Sequence, residues 1–259
     1  MIDLHCHVLP GIDDGPQVIE GSLALARAAG ANGIRTLVAT PHVSQEYHND
    51  AETIVALVAA LNARLASEGI AVDVRPGAEI AAARAGQISA DELQRLSLGG
   101  GQWLLVEPPF VAVVSGLDTL LLDLQSKGHR ILLAHPERCP ALHRDPQMLR
   151  GLVSRGVLTS ITAGSLAGRF GADVRRFALA LATDGLVHNV ASDAHDHQRR
   201  PPSIAEELQH AGLGALSQWL THEVPAAILD GSETIPPRPA IAIEPLGARP
   251  RSRWHSLRR

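Results

Sequence analysis

Two histidines separated by one residue, His5 and His7, stand near the start of the chain, and Asp13 and Asp14 follow in the loop PGIDDG. Side chains on an extended strand alternate in direction, so His5-Cys6-His7 presents both imidazoles to one face and the thiol to the other. Donor-type residues then recur: His42 in TPH, Glu79 in PGAEI, Glu107, His135 in AHPER, and Asp193 and His195 in SDAH. Imidazoles and carboxylates together make a mixed nitrogen and oxygen site, suited to Mn, Fe or Zn rather than to thiolate-bound copper. The set His5, His7, Asp14, His42, Glu79, Glu107, His135, Asp193 and His195 exceeds what one ion can use. Two or three ions bridged by carboxylates are therefore expected. Clustered carboxylates would otherwise repel one another and take up protons, so the cations also answer an electrostatic need.

Such donors need a scaffold that brings distant segments to one place. Short stretches rich in Val, Ile and Leu predict strands at 2–5, 34–40, 71–75, 103–107, 130–135, 157–162 and 187–192. Helical patterns fall between them at 17–29, 51–68, 90–96, 116–127, 146–155, 171–183 and 203–210. Seven strand–helix units favour a parallel (β/α) barrel over an open sheet, and such barrels build their sites at the C-terminal rim. The candidate donors sit at or just after those strand ends. A lone HxH is a weak signal, and His135 or Glu107 alone would read as a capping residue. Their recurrence at equivalent ends is what carries the metal reading. The other histidines (His48, His129, His143, His188, His197, His210, His222 and His255) read as surface or structural, with His197 the nearest of them to the rim.

Composition narrows the setting. The 259 residues are 45% hydrophobic and 19% charged, enough for one substantial core in residues 1–234. The net charge of −4 includes Arg249, Arg251, Arg253, Arg258 and Arg259, and a body that is more acidic still argues against a nucleic-acid interface. The segment 235–259, rich in Pro and Arg, reads as a tail without a core, with membrane contact expected only through its arginines. Two cysteines make no disulfide framework, and neither a leader-like start nor a spanning apolar run is evident, so a cytoplasmic location is expected.

The motifs DLHCHVLPGIDDG, ATPH, PGAEI, AHPER, TAGSLAGRFG and SDAHDHQRRPP, in this order, resemble the PHP (polymerase and histidinol phosphatase) superfamily. More narrowly, they resemble the bacterial manganese-dependent protein-tyrosine phosphatases of capsule and exopolysaccharide clusters, the CpsB/YwqE type. The resemblance spans about residues 1–231. It implies an α/β fold, a distorted seven-stranded (β/α)7 parallel barrel of the PHP type, holding Mn²⁺, with Fe or Zn as alternatives. It also implies a ligand allocation: His5, His7, Glu79 and Asp193 on one ion, Glu79 bridging to a second held by Glu107 and His135, and Asp14, His42 and His195 on a third. Relatives commonly carry TPHH, whereas Val43 follows His42 here, leaving His48 as a stand-in for the second histidine.

The activity so implied is hydrolysis of phosphotyrosine on a protein, with the tail of a bacterial tyrosine kinase as the expected partner. Arg138 and Arg200, beside the ligand motifs, would grip phosphoryl oxygens, and His42 is a candidate acid for the tyrosyl leaving group. Cysteine-dependent phosphatase chemistry is excluded. It needs Cys-x5-Arg, whereas six residues after Cys6 comes Ile12 and six after Cys139 comes Asp145. The amidohydrolase version bridged by a carboxylated lysine is excluded too, because the single lysine, Lys127, lies in a helical stretch. Two alternatives stay open: a phosphatase of a small metabolite such as histidinol phosphate, and a binding regulator of the polysaccharide machinery.

Overall fold

The apolar stretches do form strands, and burial of both faces explains their composition. The computed structural model describes residues 1–232 and 234–240, and the five arginines of the expected tail lie outside these. Nine strands follow in chain order: β1 (Ile2–Cys6), β2 (Thr36–Ala39), β3 (His42–Val43), β4 (Asp73–Pro76), β5 (Glu79–Ala81), β6 (Trp103–Glu107), β7 (Arg130–Ala134), β8 (Leu158–Thr162) and β9 (Asn189–Ala191). All pairings are parallel, in a three-stranded sheet β1-β2-β4 and a six-stranded sheet β3-β5-β6-β7-β8-β9.

Two expected strands are each divided. The run 34–40 breaks at Thr40-Pro41, where proline has no N–H to offer a ladder, and resumes as β3 at His42. The third strand pauses at Gly77 and Ala78 and resumes as β5, so Glu79 lies within a strand rather than in a loop beyond one. A Cβ at Gly77 would stand 2.8 Å from Val38 Cγ1, so this crossing of backbone and side chain needs glycine. The consequence for the site is direct: β3 and β5 pair with His42 opposite Glu79.

The first and last strands also meet. Asp193 N donates to His5 O at 2.9 Å and His7 N to Ala194 O at 2.9 Å. Asp3, fully buried at the centre of this seam, accepts from Ser192 N at 3.0 Å, Ser192 Oγ at 2.5 Å and His5 N at 3.3 Å. The helices pack outside the sheets. The helix Ala51–Ser67 is started by Asp50, whose carboxylate accepts from Thr53 N at 2.8 Å, and it buries Ala51, Ile54, Val58, Leu61 and Leu65 at helical spacing. A π turn at Trp219–Glu223 running into the helix Val224–Leu229 escaped the sequence pattern; it buries Trp219, Leu220, Val224 and Ile228. Trp219 Nε1 donates to Pro236 O at 2.9 Å, and Arg238 Nη2 to Ala182 O at 3.1 Å, so the start of the expected tail lies against the domain. Among the described residues no helix is long and apolar enough to cross a membrane.

Two stability predictions follow from buried polar contacts. Asp3→Ala removes the acceptor of Ser192 N and Ser192 Oγ, and should lower unfolding free energy by about 2–4 kcal/mol in urea titrations. His188 Nδ1 accepts from Thr159 N at 3.2 Å, a contact that only the neutral ring can make. Burial, with Arg238 nearby, lowers its pKa from 6.5 to about 4. The neutral ring is thus favoured on folding: its stabilisation is complete above pH 6.5 and is lost as pH falls toward 4, by about 3 kcal/mol. His188→Asn, which keeps an acceptor without the titration, should flatten that part of the stability–pH curve, and an unchanged slope would remove His188 as its source.

Candidate metal centre

All nine expected donors arrive at one end of the strands. They form four overlapping groups whose nitrogen and oxygen atoms lie within 4.8 Å of one another: His7, Asp14, His42, His195; His5, His7, Asp193; His5, Glu79, His135; and His42, Glu79, Glu107. His5 Nε2 and His7 Nε2 stand 3.2 Å apart. Glu79 Oε2 is 3.3 Å from the first and 3.4 Å from the second, while Asp193 Oδ1 is 3.5 Å from each. Donors about 2.1 Å from a shared tetrahedral ion would be separated by about 3.4 Å. Glu79 Oε1 meets His135 Nε2 at 2.7 Å, with Glu107 Oε1 at 3.7 Å on the far side of that imidazole nitrogen. Asp14 Oδ1 stands 3.2 Å from His195 Nε2 and 3.5 Å from His42 Nε2.

These atoms suit cations better than they suit one another. Glu79 Oε2 is buried and accepts no hydrogen bond, although His42 Nδ1 stands 3.0 Å away along with the two other imidazoles. Burial, and then the Glu79 carboxylate, pushes the Glu107 carboxyl up to about 7. Burial opposes a proton on His42, yet Asp14 and Glu79 outweigh it and raise its pKa to about 10. Lone pairs and like charges are crowded together, and divalent ions would relieve the crowding.

An outer layer aims the donors. Asp13 Oδ2 meets His7 Nδ1 at 2.7 Å and also accepts from His42 N at 3.2 Å, while Asp13 Oδ1 accepts from Gly15 N at 2.9 Å. This fixes His7 with Nε2 turned inward, as carboxylates commonly do behind ligand histidines. His195 Nδ1 is 3.0 Å from Asp193 O, which leaves its Nε2 for the Asp14 side. A Cβ at Gly15 would fall 2.5 Å from His7 O, so the closing glycine of GIDDG lets the loop press onto His7. Glu137 Oε1, fully buried, accepts from Thr162 N at 2.9 Å and Ser165 Oγ at 2.7 Å, tying AHPER to TAGSL. Among the described residues only His135, at φ 28°, and Asp193, at φ 51°, place a non-glycine residue in the left-handed region.

Both arginines reach the site. Arg138 Nη1 and Arg200 Nη2 meet Asp193 Oδ2 at 2.8 and 2.7 Å, leaving Oδ1 toward the imidazoles. Arg138 Cζ also lies 4.4 Å from the Phe170 ring and 5.0 Å from the Phe110 ring. The motif TAGSLAGRFG thus delivers Phe170 onto the guanidinium. His48 does not join: it is exposed, bridges Val43 and belongs to none of the four groups. Asp3, Asp13 and Glu137 were the residues sequence reasoning left without a role. Only the second aspartate of GIDDG gave a signal there, since nothing local shows which of the pair faces inward.

Asp13→Ala should free the His7 ring and weaken Mn²⁺ binding about 10–100-fold in calorimetric titration. Wild-type affinity in that variant would show that Asp13 does not orient the site.

Comparison with known proteins agrees with this geometry. A family model described as "Capsular polysaccharide synthesis, CpsB/CapC" matches residues 1–212. The tyrosine-protein phosphatase YwqE of Bacillus subtilis is 38% identical over 238 residues, covering 91% of each chain. The tyrosine-protein phosphatase CpsB of Streptococcus agalactiae is 27% identical over 218 residues, covering 80% of this chain and 87% of its own. A crystal structure from work on YwqE of Bacillus subtilis and CpsB of Streptococcus pneumoniae, described as metal-dependent tyrosine phosphatases, superposes with a TM-score of 0.78 at 36% identity, over 93% of this chain and 100% of that one. With a family match over most of its length and a donor cluster already assembled at the strand ends, the chain belongs to the CpsB/CapC family.

Proposed function

We propose that the chain is a metal-dependent phosphatase hydrolysing phosphotyrosine on proteins. The observation that carries this reading is the packing of buried imidazole and carboxylate donors at 3.0–3.5 Å beside two arginines, in a chain 38% identical to a tyrosine-protein phosphatase. His5, His7, Glu79 and Asp193 would hold one ion, Glu79, Glu107 and His135 a second, and Asp14, His42 and His195 a third. When bound, divalent ions supply an acidified water as nucleophile and positive charge for the phosphoryl group. Mn²⁺, in two or three copies, is the reading the resemblance supports, with Fe and Zn compatible with the same donors.

The chain's own residues do the rest. Arg138 and Arg200 each spend one N–H group on Asp193 Oδ2, and their remaining donors are free to bind equatorial phosphoryl oxygens as charge develops. Asp193 holds both guanidinium groups in one place, so the pair is oriented before substrate arrives. His42 is part-exposed and faces the solvent side of the cluster, where a proton on its ring can pass to the departing tyrosyl oxygen. The rim is open: Asp14 is 46% exposed in its side chain and Phe110 is 48% exposed. An open rim fits a protein segment better than a small enclosed metabolite does.

The parallel strands support one barrel-like ring of seven, with β2 and β3 counted as one strand and β4 and β5 as another. The seam between β1 and the end of β9 is where it would close. The wider setting goes with the family: a tyrosine kinase tail in capsular or exopolysaccharide synthesis as the phosphoprotein, a cytoplasmic place of action, and residues 1–234 as the working domain.

Steady-state hydrolysis of a phosphotyrosine peptide against histidinol phosphate tests this. The peptide should be preferred with Mn²⁺ and left untouched with chelator, and Glu107→Ala or Arg138→Ala should lower kcat about 100-fold or more. Preference for histidinol phosphate would move the same site to a metabolite.

A further inference from the structure

The chain is poor in aromatic residues: three Trp, one Tyr and three Phe in 259 positions. Trp103 and Trp219 are buried in the core. Tyr47, Phe110 and Phe170 instead all lie at the candidate metal centre, in ring contact with His42, with His135 and Arg138, and with Arg138 and Arg200 respectively. Phe110 is the most open of the apolar groups among them. Its ring lies parallel to the His135 imidazole, 5.5 Å between centroids and 16° between planes, and 48% of the residue is exposed.

The loop that carries it is apolar and outward-facing. Val111 is 45% exposed and Val113 77%, so three of the five exposed large hydrophobic residues among those described fall within four positions. Yet its backbone is fastened: Ala141 N donates to Val111 O at 3.1 Å, Arg144 Nη1 to Ala112 O at 3.3 Å, and Cys139 Sγ to Pro109 O at 3.3 Å. A contiguous apolar patch, held in place by main-chain contacts at the edge of a reactive centre, is a feature that water alone disfavours and a bound apolar group would favour.

Resting on the phosphatase reading above, we infer that Phe110 is the specificity residue that receives the aromatic ring of the substrate, its ring forming one wall of an aryl site beside Arg138. In an aryl phosphate one ester oxygen separates phosphorus from the ring, so the ring must lie just outside the groups that hold the phosphoryl oxygens. Phe110, with its ring 5.0 Å from Arg138 Cζ, stands in that position. Tyr47 lies on the His42 and Asp14 side, away from the arginine pair. A stacked or edge-to-face aromatic pair contributes about 0.5–1.5 kcal/mol beyond area, or roughly 2- to 10-fold in affinity. An alkyl phosphate offers no ring to meet it. Phe110 would thereby separate phosphotyrosine from aliphatic phosphates without touching the phosphoryl group.

Phenylphosphonate and ethylphosphonate, which cannot be hydrolysed at an ester oxygen, are suitable probes with the Mn²⁺-loaded full chain. Calorimetric Kd values are measured for wild type, Phe110→Leu and Phe110→Trp, beside KM and kcat for a phosphotyrosine peptide. Phe110→Leu should weaken phenylphosphonate binding and raise the peptide KM about 5- to 10-fold, leave kcat and ethylphosphonate binding within twofold, and Phe110→Trp should restore the preference. Equal weakening of both phosphonates would make Phe110 a mere support for His135 and Arg138, and no change in either would deny it any role; each result overturns the inference. Failure of the phosphatase reading would be seen separately, as wild type inactive on the phosphotyrosine peptide, and would take the aryl site with it.

Discussion

The buried carboxylate of Glu79 is the constraint around which the rest is arranged. One oxygen meets His135, and the other faces His5, His7 and His42 without accepting a hydrogen bond from any of them. A carboxylate in low-dielectric surroundings needs positive charge or several donors close by. Here the neighbours are themselves lone-pair donors, so the group is held in place by the fold rather than by its own contacts. The split of the third strand at Gly77 turns Glu79 inward, and the split of the second at Pro41 sets His42 opposite it. Irregular strands, in this chain, are what make the centre.

Around that core stands a layer of acids whose work is mechanical. Asp13 clasps His7 and the His42 amide, Asp3 joins β1 to the end of β9, and Glu137 fastens the loop after β7 to the turn after β8. Each is buried and each spans two segments distant in sequence. Asp193 belongs to both layers: one oxygen faces two imidazoles and the other gathers two guanidinium groups. Electrostatic preorganisation of this kind places the reacting charges before substrate enters.

Much of this was legible in the sequence, for a physical reason. Parallel strands buried on both faces write themselves as apolar runs, and donors at strand ends are conspicuous because polar residues interrupt those runs. That made β1, β6, β7 and β8 and the nine donors easy to find. The divided strands were harder, since Pro41 and Gly77 sit inside stretches that otherwise read as continuous. The helical segment from Trp219 to Leu229 was missed because its π turn shifts the apolar spacing away from the 3.6-residue repeat. Asp3, Asp13 and Glu137 could not be assigned because their partners lie on other elements, and only folding shows which residues meet.

The backbone at His135 and Asp193 bears on how such a chain can change over generations. An L-residue with a Cβ is disfavoured in the left-handed region, and glycine or asparagine would sit there with less strain. Mutational drift guided by stability alone would therefore lead these two positions away from donor side chains. That they carry histidine and aspartate means the folded state has accepted a local cost for what those side chains do. A descendant that lost its need for the centre should show it first here, as a more stable protein with glycine where the donors were.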